Sequence, residues 1–399
     1  MMKRFHLYKT ILSCRTLLAT VCLLATGCTG SMVEDVVPDE AQPVELSFSR
    51  PDLGLTVVTA GGSSTKAQVR ADGDPTALPE GATVRIAAYL IGRLGETVTN
   101  PADFSTVTPN FQATYVVGAD GSLSPCLVDN EGKKIEGTAK GMFVRSGKYD
   151  FYAISPARPI TNAGGTNQIT NIPHKEDVMA SCARTVTISK SSSTVTLQTF
   201  KRKCSLVVFN VACDASSAVS VISLRGTALK LSSISKSGAN LVAGESEEIS
   251  KTGSEATDAG TVSFVESDFQ AVDPASDPDN LGLNKVIGIV LPKDGTPFNI
   301  AVTVERDGNS VNLGATVNKN IAFDSGKRYV FTLQVKNDVS KLLMRVMDWN
   351  TISFTDDNVG GADPGNPNPS DPDINEGIGV GIVIAEWTNI DWSGNGNVG

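Results

Sequence analysis

Two histidines occur in 399 residues, His6 and His174, and that scarcity bounds the chemistry open to the chain. Imidazole is the usual general base at neutral pH and the commonest metal ligand. His6 lies in an N-terminal stretch with the form of an export signal, which leaves His174 to the mature chain. It stands in Ile172-Pro173-His174-Lys175-Glu176-Asp177, which reads as a loop before a strand. No G-x-S-x-G or comparable nucleophile motif accompanies it. Gly377-x-Gly379-x-Gly381 lacks the third glycine and the βαβ setting of a dinucleotide loop. Asp371-Pro372-Asp373-Ile374-Asn375-Glu376-Gly377 approaches a calcium loop, but its glycine comes one place late and Ile382 stands where the bidentate Glu is needed. Glu247-Glu248 lies in a polar stretch and reads as a solvated loop. No enzymatic activity, cofactor or metal is expected.

Chemistry of another kind is legible at Cys28. Lys3, Arg4, Lys9 and Arg15 make a basic leader, and the apolar run Leu17–Ala25 is too short to span a bilayer. It ends in Ala25-Thr26-Gly27-Cys28, small residues in the form of a lipobox, with Ala25 where Leu is usual. Residues 1–27 therefore read as a lipoprotein signal peptide and Cys28 as a lipidated N-terminus. The alternative is ordinary signal cleavage beside an incidental cysteine. Each buried acyl methylene would add ~0.8 kcal/mol of anchoring. Of seven cysteines, Cys14 and Cys22 leave with the signal. Cys126, Cys182, Cys204 and Cys213 show no C-x-x-C or zinc spacing. A disulfide and buried free thiols both stay open.

The elements that must carry these residues are strands. The chain is 40% hydrophobic, enough for a real core, and only 19% charged, a profile of short strands and many turns. Loss of the four bases of residues 1–27, which hold no acid, takes the formal net charge from -9 to -13. Such a surface repels phosphate backbones, so no nucleic-acid partner is expected. Val44-Glu45-Leu46-Ser47-Phe48 alternates as a half-buried strand does, and Leu55–Thr59 extends or follows it. The turn-rich stretch Gly61–Pro75 contains Lys66 and Arg70 and offers itself to proteases. Strands are then predicted at Thr83–Ile91, Phe111–Val117, Leu123–Val128, Lys148–Ile154, Thr185–Ile188 and Thr194–Phe200. Tyr149, Phe151 and Ala153 share one face of theirs. The pattern restarts after Lys201–Lys203, with strands at Ser205–Val211, Ala218–Leu224, Lys285–Leu291, Phe298–Glu305, Ser310–Leu313, Tyr329–Val335 and Leu342–Trp349. Leu281–Asn284 could hold a short helix. Ser146-Gly147-Lys148-Tyr149-Asp150-Phe151 echoes Ser325-Gly326-Lys327-Arg328-Tyr329-Val330-Phe331, which agrees with two stacked domains, each with its own core.

The tail carries the sharpest pattern. Asp356–Asn375 is an Asp/Asn/Gly/Pro linker. Beyond it Ile378, Val380, Ile382 and Ile384 recur at period two, opposite Gly377, Gly379 and Gly381, and Ile390 and Trp392 continue the even set. A strand this apolar on one face must find a partner sheet, in its own body or in another molecule.

Taken in order, lipobox Cys28, a first strand followed by Thr65-Lys66-Ala67, Lys148-Tyr149-Asp150-Phe151-Tyr152-Ala153, Phe200-Lys201-Arg202-Lys203-Cys204-Ser205-Leu206-Val207-Val208-Phe209, the Ser325–Phe331 segment and Val346-Met347-Asp348-Trp349-Asn350 resemble the fimbrillin (type V pilin) family of Gram-negative anaerobes. The resemblance covers nearly the whole chain. It implies an all-β fold of two tandem transthyretin-like β-sandwich domains, with a removable N-terminal strand and a C-terminal appendage strand. The division would be signal 1–27, leader with first strand 28–70, sandwiches 71–202 and 203–355, linker 356–376 and donor strand 377–399. It also implies a fimbrial subunit, lipid-held at the outer membrane and surface-exposed before processing. An Arg/Lys-specific protease would cut after Arg70, with Arg50 as the alternative. The vacated groove would take a donor strand bearing Ile378, Val380, Ile382, Ile384, Ile390 and Trp392 from an identical or related subunit. The other readings are a tip or anchor subunit, or a surface lipoprotein that binds glycan or host protein. Three Trp, two of them in the tail (Trp387 and Trp392), are few for a glycan platform.

Overall fold

The computed structural model describes residues 42–53, 56–58, 64–65, 77–213, 224–251, 259–271, 284–335, 341–348, 351–353 and 388–389, all within one compact unit, Asp39–Gly399. In chain order the strands of the first half are β1 (Pro43–Glu45), β2 (Ser47–Phe48), β3 (Thr56–Val58), β4 (Ser64–Thr65), β5 (Thr83–Gly92), β6 (Phe111–Val117), β7 (Leu123–Pro125), β8 (Leu127–Val128), β9 (Lys134–Ile135), β10 (Phe143–Arg145), β11 (Gly147–Ser155), β12 (Thr161–Ala163), β13 (Thr166–Ile172), β14 (Met179–Ile188), β15 (Thr194–Val195) and β16 (Lys201–Arg202). The second half adds β17 (Ser205–Cys213), β18 (Leu224–Ile234), β19 (Ala239–Val242), β20 (Gly260–Val265), β21 (Phe269–Ala271), β22 (Asn284–Val290), β23 (Lys293–Arg306), β24 (Asn309–Phe323), β25 (Lys327–Val335), β26 (Lys341–Asp348), β27 (Thr351–Ser353) and β28 (Thr388–Asn389). The fold is all-β. A 3-10 turn, Glu266–Asp268, interrupts the second half, and Asn284, expected at the end of a short helix, opens β22 instead.

A six-stranded sheet, β16-β14-β11-β5-β6-β7, dominates the first half. Its central strand β11 shows why a near-continuous apolar run belongs in mid-sheet. Tyr149, Phe151 and Ala153 enter one core with Val84, Ile86, Tyr115 and Phe200. Tyr152 and Ile154, on the other face, enter a second with Tyr89, Phe104 and Ile169. The second half pairs two five-stranded sheets, β21-β22-β17-β25-β26 and β20-β18-β23-β24-β28, around Phe209, Leu231, Phe298, Ile300, Phe323 and Phe331. The β23–β24 hairpin turns through Asp307 (φ 48) and Gly308 (φ 78), the two positive-φ residues a tight hairpin turn requires. β24 therefore runs 15 residues, far beyond the expected Ser310–Leu313. The reverse holds for Thr194–Phe200, where only Thr194–Val195 forms a strand.

The echo between the halves is physical. Tyr149 Oη donates back to Arg145 O at 2.9 Å, and Tyr329 Oη accepts from Asp324 N at 2.7 Å. In each case a tyrosine at the head of a strand ties down the turn that launches it, in the manner of a tyrosine corner.

Each half has its own core, and a third cluster joins them. The cluster around Tyr152 also takes in Ala239, Leu241, Ala243, Ile249 and Leu291 from the second half. A three-stranded sheet, β12-β13-β19, bridges the halves, with Ile169 opposite Leu241. Asp150, fully buried, accepts from Ala102 N at 2.8 Å and Thr185 N at 2.7 Å and pairs with Arg184 at 2.7 Å. Arg184 lies 3.7 Å from the centroid of Phe104 and also pairs with Glu245 of the second half. A buried carboxylate thus has its desolvation offset, and its partner joins the halves.

Candidate functional site

The residues that bear on assembly sit in a slot filled by residues 43–53. β1 pairs antiparallel with β10, Val44 opposite Val144, and Leu46 N donates to Met142 O at 2.9 Å. β2 then pairs in parallel with β15, and Ser49 N donates to Val195 O at 2.9 Å. The expected single strand Val44–Phe48 is therefore two short ones, because the chain changes neighbours at Leu46. Val44, Leu46 and Leu53 are each 5% exposed. Phe48 lies edge-on to Tyr115 at 5.2 Å and to Phe151 at 6.0 Å. Tyr115, whose phenol burial pushes up to about 12, accepts from Met142 N at 2.9 Å and fixes the slot's far wall. Burying Val44, Leu46, Phe48 and Leu53 contributes about 1.5–3 kcal/mol each as an upper bound.

Arg50 is exposed, and its side chain crosses the turn at Gly121, where a Cβ would stand 2.5 Å from its Nε. Hydrogen bonds from Ser122 hold the Asp120 carboxyl on that turn below its ordinary range, with Arg50's charge a smaller contribution. The backbone on both sides of Arg50 is pinned, by the Ser49 N to Val195 O bond before it and, after it, by Pro51 O, which accepts from Leu78 N at 3.4 Å, and Asp52 O, which accepts from Phe200 N at 2.7 Å. Pro51, directly after Arg50, is buried. Cys28, Arg70, Ile378, Val380, Ile382, Ile384, Ile390 and Trp392 lie outside the described residues, as does the loop Asp371–Gly377. Of the tail, Thr388 and Asn389 are described. They pair antiparallel with Gly314 and Leu313 on β24 of the same chain.

His174 has a structural task. Leu291 N donates to its Nδ1 at 3.1 Å, and Nε2 lies 2.8 Å from Ser235 O, which assigns the neutral Nε2–H tautomer. The ring ties a first-half loop to two second-half backbone groups, and burial lowers its pKa. Glu247 supplies a backbone carbonyl to Lys203 Nζ at 2.8 Å, and Glu245 another at 3.1 Å. Cys126, Cys182 and Cys204 are buried free thiols, and burial pushes Cys182 up to about 11 and Cys204 up to about 12, where thiols are inert. Among the described residues no three His, Cys, Asp or Glu side chains are grouped to hold a metal. An open cleft of about 1260 Å³ runs past Thr83, Lys133, Arg158, His174 and Arg202. Within its walls Arg158 pairs with Glu176 and Arg202 with Asp177.

A family model described as fimbrillin-like matches residues 44–357. The chain belongs to the fimbrillin-like family. The matched span opens at Val44, the first buried residue of the slot. No curated protein matches the chain. Among solved structures, this fimbrillin-like chain is similar to a candidate cell adhesion protein from Bacteroides fragilis, with 17% identity, 77% of this chain and 98% of that one covered, and a TM-score of 0.48. It is also similar to the tip fimbrial protein Mfa3 from Porphyromonas gingivalis, with 11% identity, 68% and 95% covered, and a TM-score of 0.34. A fimbrial assembly protein from Parabacteroides distasonis shows 9% identity, 77% and 99% covered, and a TM-score of 0.35. At these scores the likenesses add nothing to the family assignment, which rests on the match over 44–357.

Proposed function

We propose that the chain is a structural subunit of cell-surface fimbriae, polymerised by strand exchange after a protease removes its N-terminal segment. The observation that carries this reading is the slot. Val44, Leu46 and Phe48 fill it at period two, from a segment held by short ladders at the chain's start. Ile378, Val380, Ile382 and Ile384 repeat that period in the tail, so a tail from a second copy supplies matching side chains and a matching backbone. A head-to-tail contact of this kind does not close on itself and gives a filament. In this reading the precursor is anchored at the outer membrane through Cys28, and the two sandwiches divide near 202/203.

Arg70 is the better cut site. The Arg50–Pro51 bond offers a protease no N–H beyond the scissile carbonyl and a fixed φ, on backbone pinned from both sides. A cut after Arg70 releases Leu53 along with Val44 and Leu46. A second reading, an anchor subunit or glycan- or protein-binding surface lipoprotein whose tail folds back, draws on the pairing of Thr388–Asn389 with the chain's own β24.

Intact-mass and N-terminal analysis of material sheared from cells separates them. A lipid-free chain starting at Ala71 that runs as an oligomer ladder supports the polymerising subunit. A monomer starting at lipidated Cys28 supports the anchor. In the first case Ile382→Asp with Ile384→Asp yields only monomers, and fibres from that variant would reject the donor assignment.

A further inference from the structure

The N-terminal segment does more than fill the slot. β3 pairs in parallel with β27, Thr56 opposite Thr351, Val57 opposite Ile352 and Val58 opposite Ser353. β4 pairs with the other side of β3, Val57 opposite Thr65 and Val58 opposite Ser64. The order β27-β3-β4 puts the leader strand in the centre of this small sheet. Two of its three strands, β3 and β4, precede Arg70. The third, β27, follows the last long strand, β26, after two residues, and everything beyond it is linker and tail.

We propose that the leader is a strap with two holds, one in the slot and one on the root of the tail, so that a single cut after Arg70 arms the subunit at both ends. This inference rests on the reading of the tail as a donor and of Arg70 as the cut site. When the leader leaves, the slot loses Val44, Leu46, Phe48 and Leu53, and β27 loses its strand partner among the described residues. A three-residue strand without a neighbour does not hold its conformation in water, so the root of the tail comes free at the end of β26, and the two-residue β24–β28 pairing is the hold that the tail keeps among the described residues. Before the cut, slot and tail root are both occupied by the same segment. An uncut precursor is therefore held back twice, and acceptor and donor become competent in one event, as when removal of a pro-segment releases a held element.

The test reads backbone amide exchange, not polymer formation. In the full-length uncut chain the amides of residues 351–353 are expected to exchange at least tenfold more slowly than in an unstructured peptide of the same sequence. That protection disappears on cutting after Arg70. Val57→Pro, in the uncut chain, removes it without disturbing the protection of β1 and β10. Paired cysteines at Val57→Cys and Ile352→Cys form a disulfide in the uncut chain and preserve the protection after cutting until they are reduced. Exchange at 351–353 that is fast from the start, or unchanged by either the cut or Val57→Pro, overturns the inference. Failure to polymerise with the exchange changes intact counts against the donor reading alone.

Discussion

Lys293 is fully buried, and its ammonium is met by three backbone carbonyls, Asp294 O at 2.6 Å, Thr296 O at 2.7 Å and Ile321 O at 2.7 Å. The β23–β24 register shifts twice between Lys293 and Phe298, which takes carbonyls out of the regular ladder, and the lysine satisfies them. Phe298 and Phe323 add ring faces at 5.3 and 5.5 Å. Burial pushes the ammonium down to about 8, so it stays charged at neutral pH. Lys293→Met keeps the stem and orphans the carbonyls, at about 1–3 kcal/mol for each one left dry. A loss of at least ~3 kcal/mol in urea unfolding is expected, and a variant as stable as the parent would show the cage to be idle. His174 makes the second residue-scale prediction. Its folded pKa lies below the ordinary 6.5 because burial disfavours the charged ring, against a smaller opposing effect of the Ser235 carbonyl. Arg158, Lys175, Glu176, Asp177 and Arg202 share its cleft. The unfolded chain takes up the proton first, so stability falls as pH drops below about 6.5, by at most ~1.4 kcal/mol per pH unit, and is unaffected above it. His174→Gln flattens that window while leaving the slope above 6.5 unchanged, and an unaltered slope below 6.5 would assign it to other groups.

At the scale of elements, period-two runs were legible where a strand has one neighbour on each side and a core beneath it. Phe111–Val117 was read residue for residue, and Tyr149, Phe151 and Ala153 do share a core face. What the sequence hid were changes of partner. Nothing in Val44–Phe48 signals that Leu46 hands the chain from β10 to β15, because the switch is decided by residues about 100 and 150 positions away. Polar Asn309–Asn320 concealed most of β24, whose length is set by the Asp307-Gly308 turn and by Leu313, Val317 and Phe323 beneath it. That dipeptide was a hairpin signal available in the sequence. The slot was legible as a first strand with an even apolar set, whereas its walls at Tyr115, Met142 and Val195 were not, being assembled from three separate strands and loops. Leu46→Asp tests the element directly. A carboxylate in place of a 5%-exposed Leu is expected to cost the full-length chain at least ~3 kcal/mol, measured by urea unfolding, and, under the proposed cut after Arg70, to leave the processed chain unaffected. Equal stability of precursor and variant would place the segment outside the sandwich.

For the molecule as a whole, the decisive feature is the core that both halves share. Tyr89, Phe104, Tyr152 and Ile154 from one half and Leu241, Ile249 and Leu291 from the other are buried together. The β13–β19 ladder runs through the same region, Lys175 N donates to Ile289 O at 2.8 Å, and Arg184 pairs with Glu245 across it. Sandwiches tethered only by a linker would unfold separately, each with its own midpoint. Here neither half can open without exposing its side of the shared cluster, so calorimetry of the mature chain is expected to give one transition whose van't Hoff and calorimetric enthalpies agree. Leu241→Asp places a charge in the shared cluster opposite Ile169 and leaves the cores around Phe151 and Phe331 untouched. It is expected to split the single transition into two, the second half melting first, because β19 and the Leu291 end of β22 lose their cover. Two transitions in the unaltered chain would mean that the halves are independent. One transition, split by this substitution, means that the two halves are held by a packed joint and unfold as a single body.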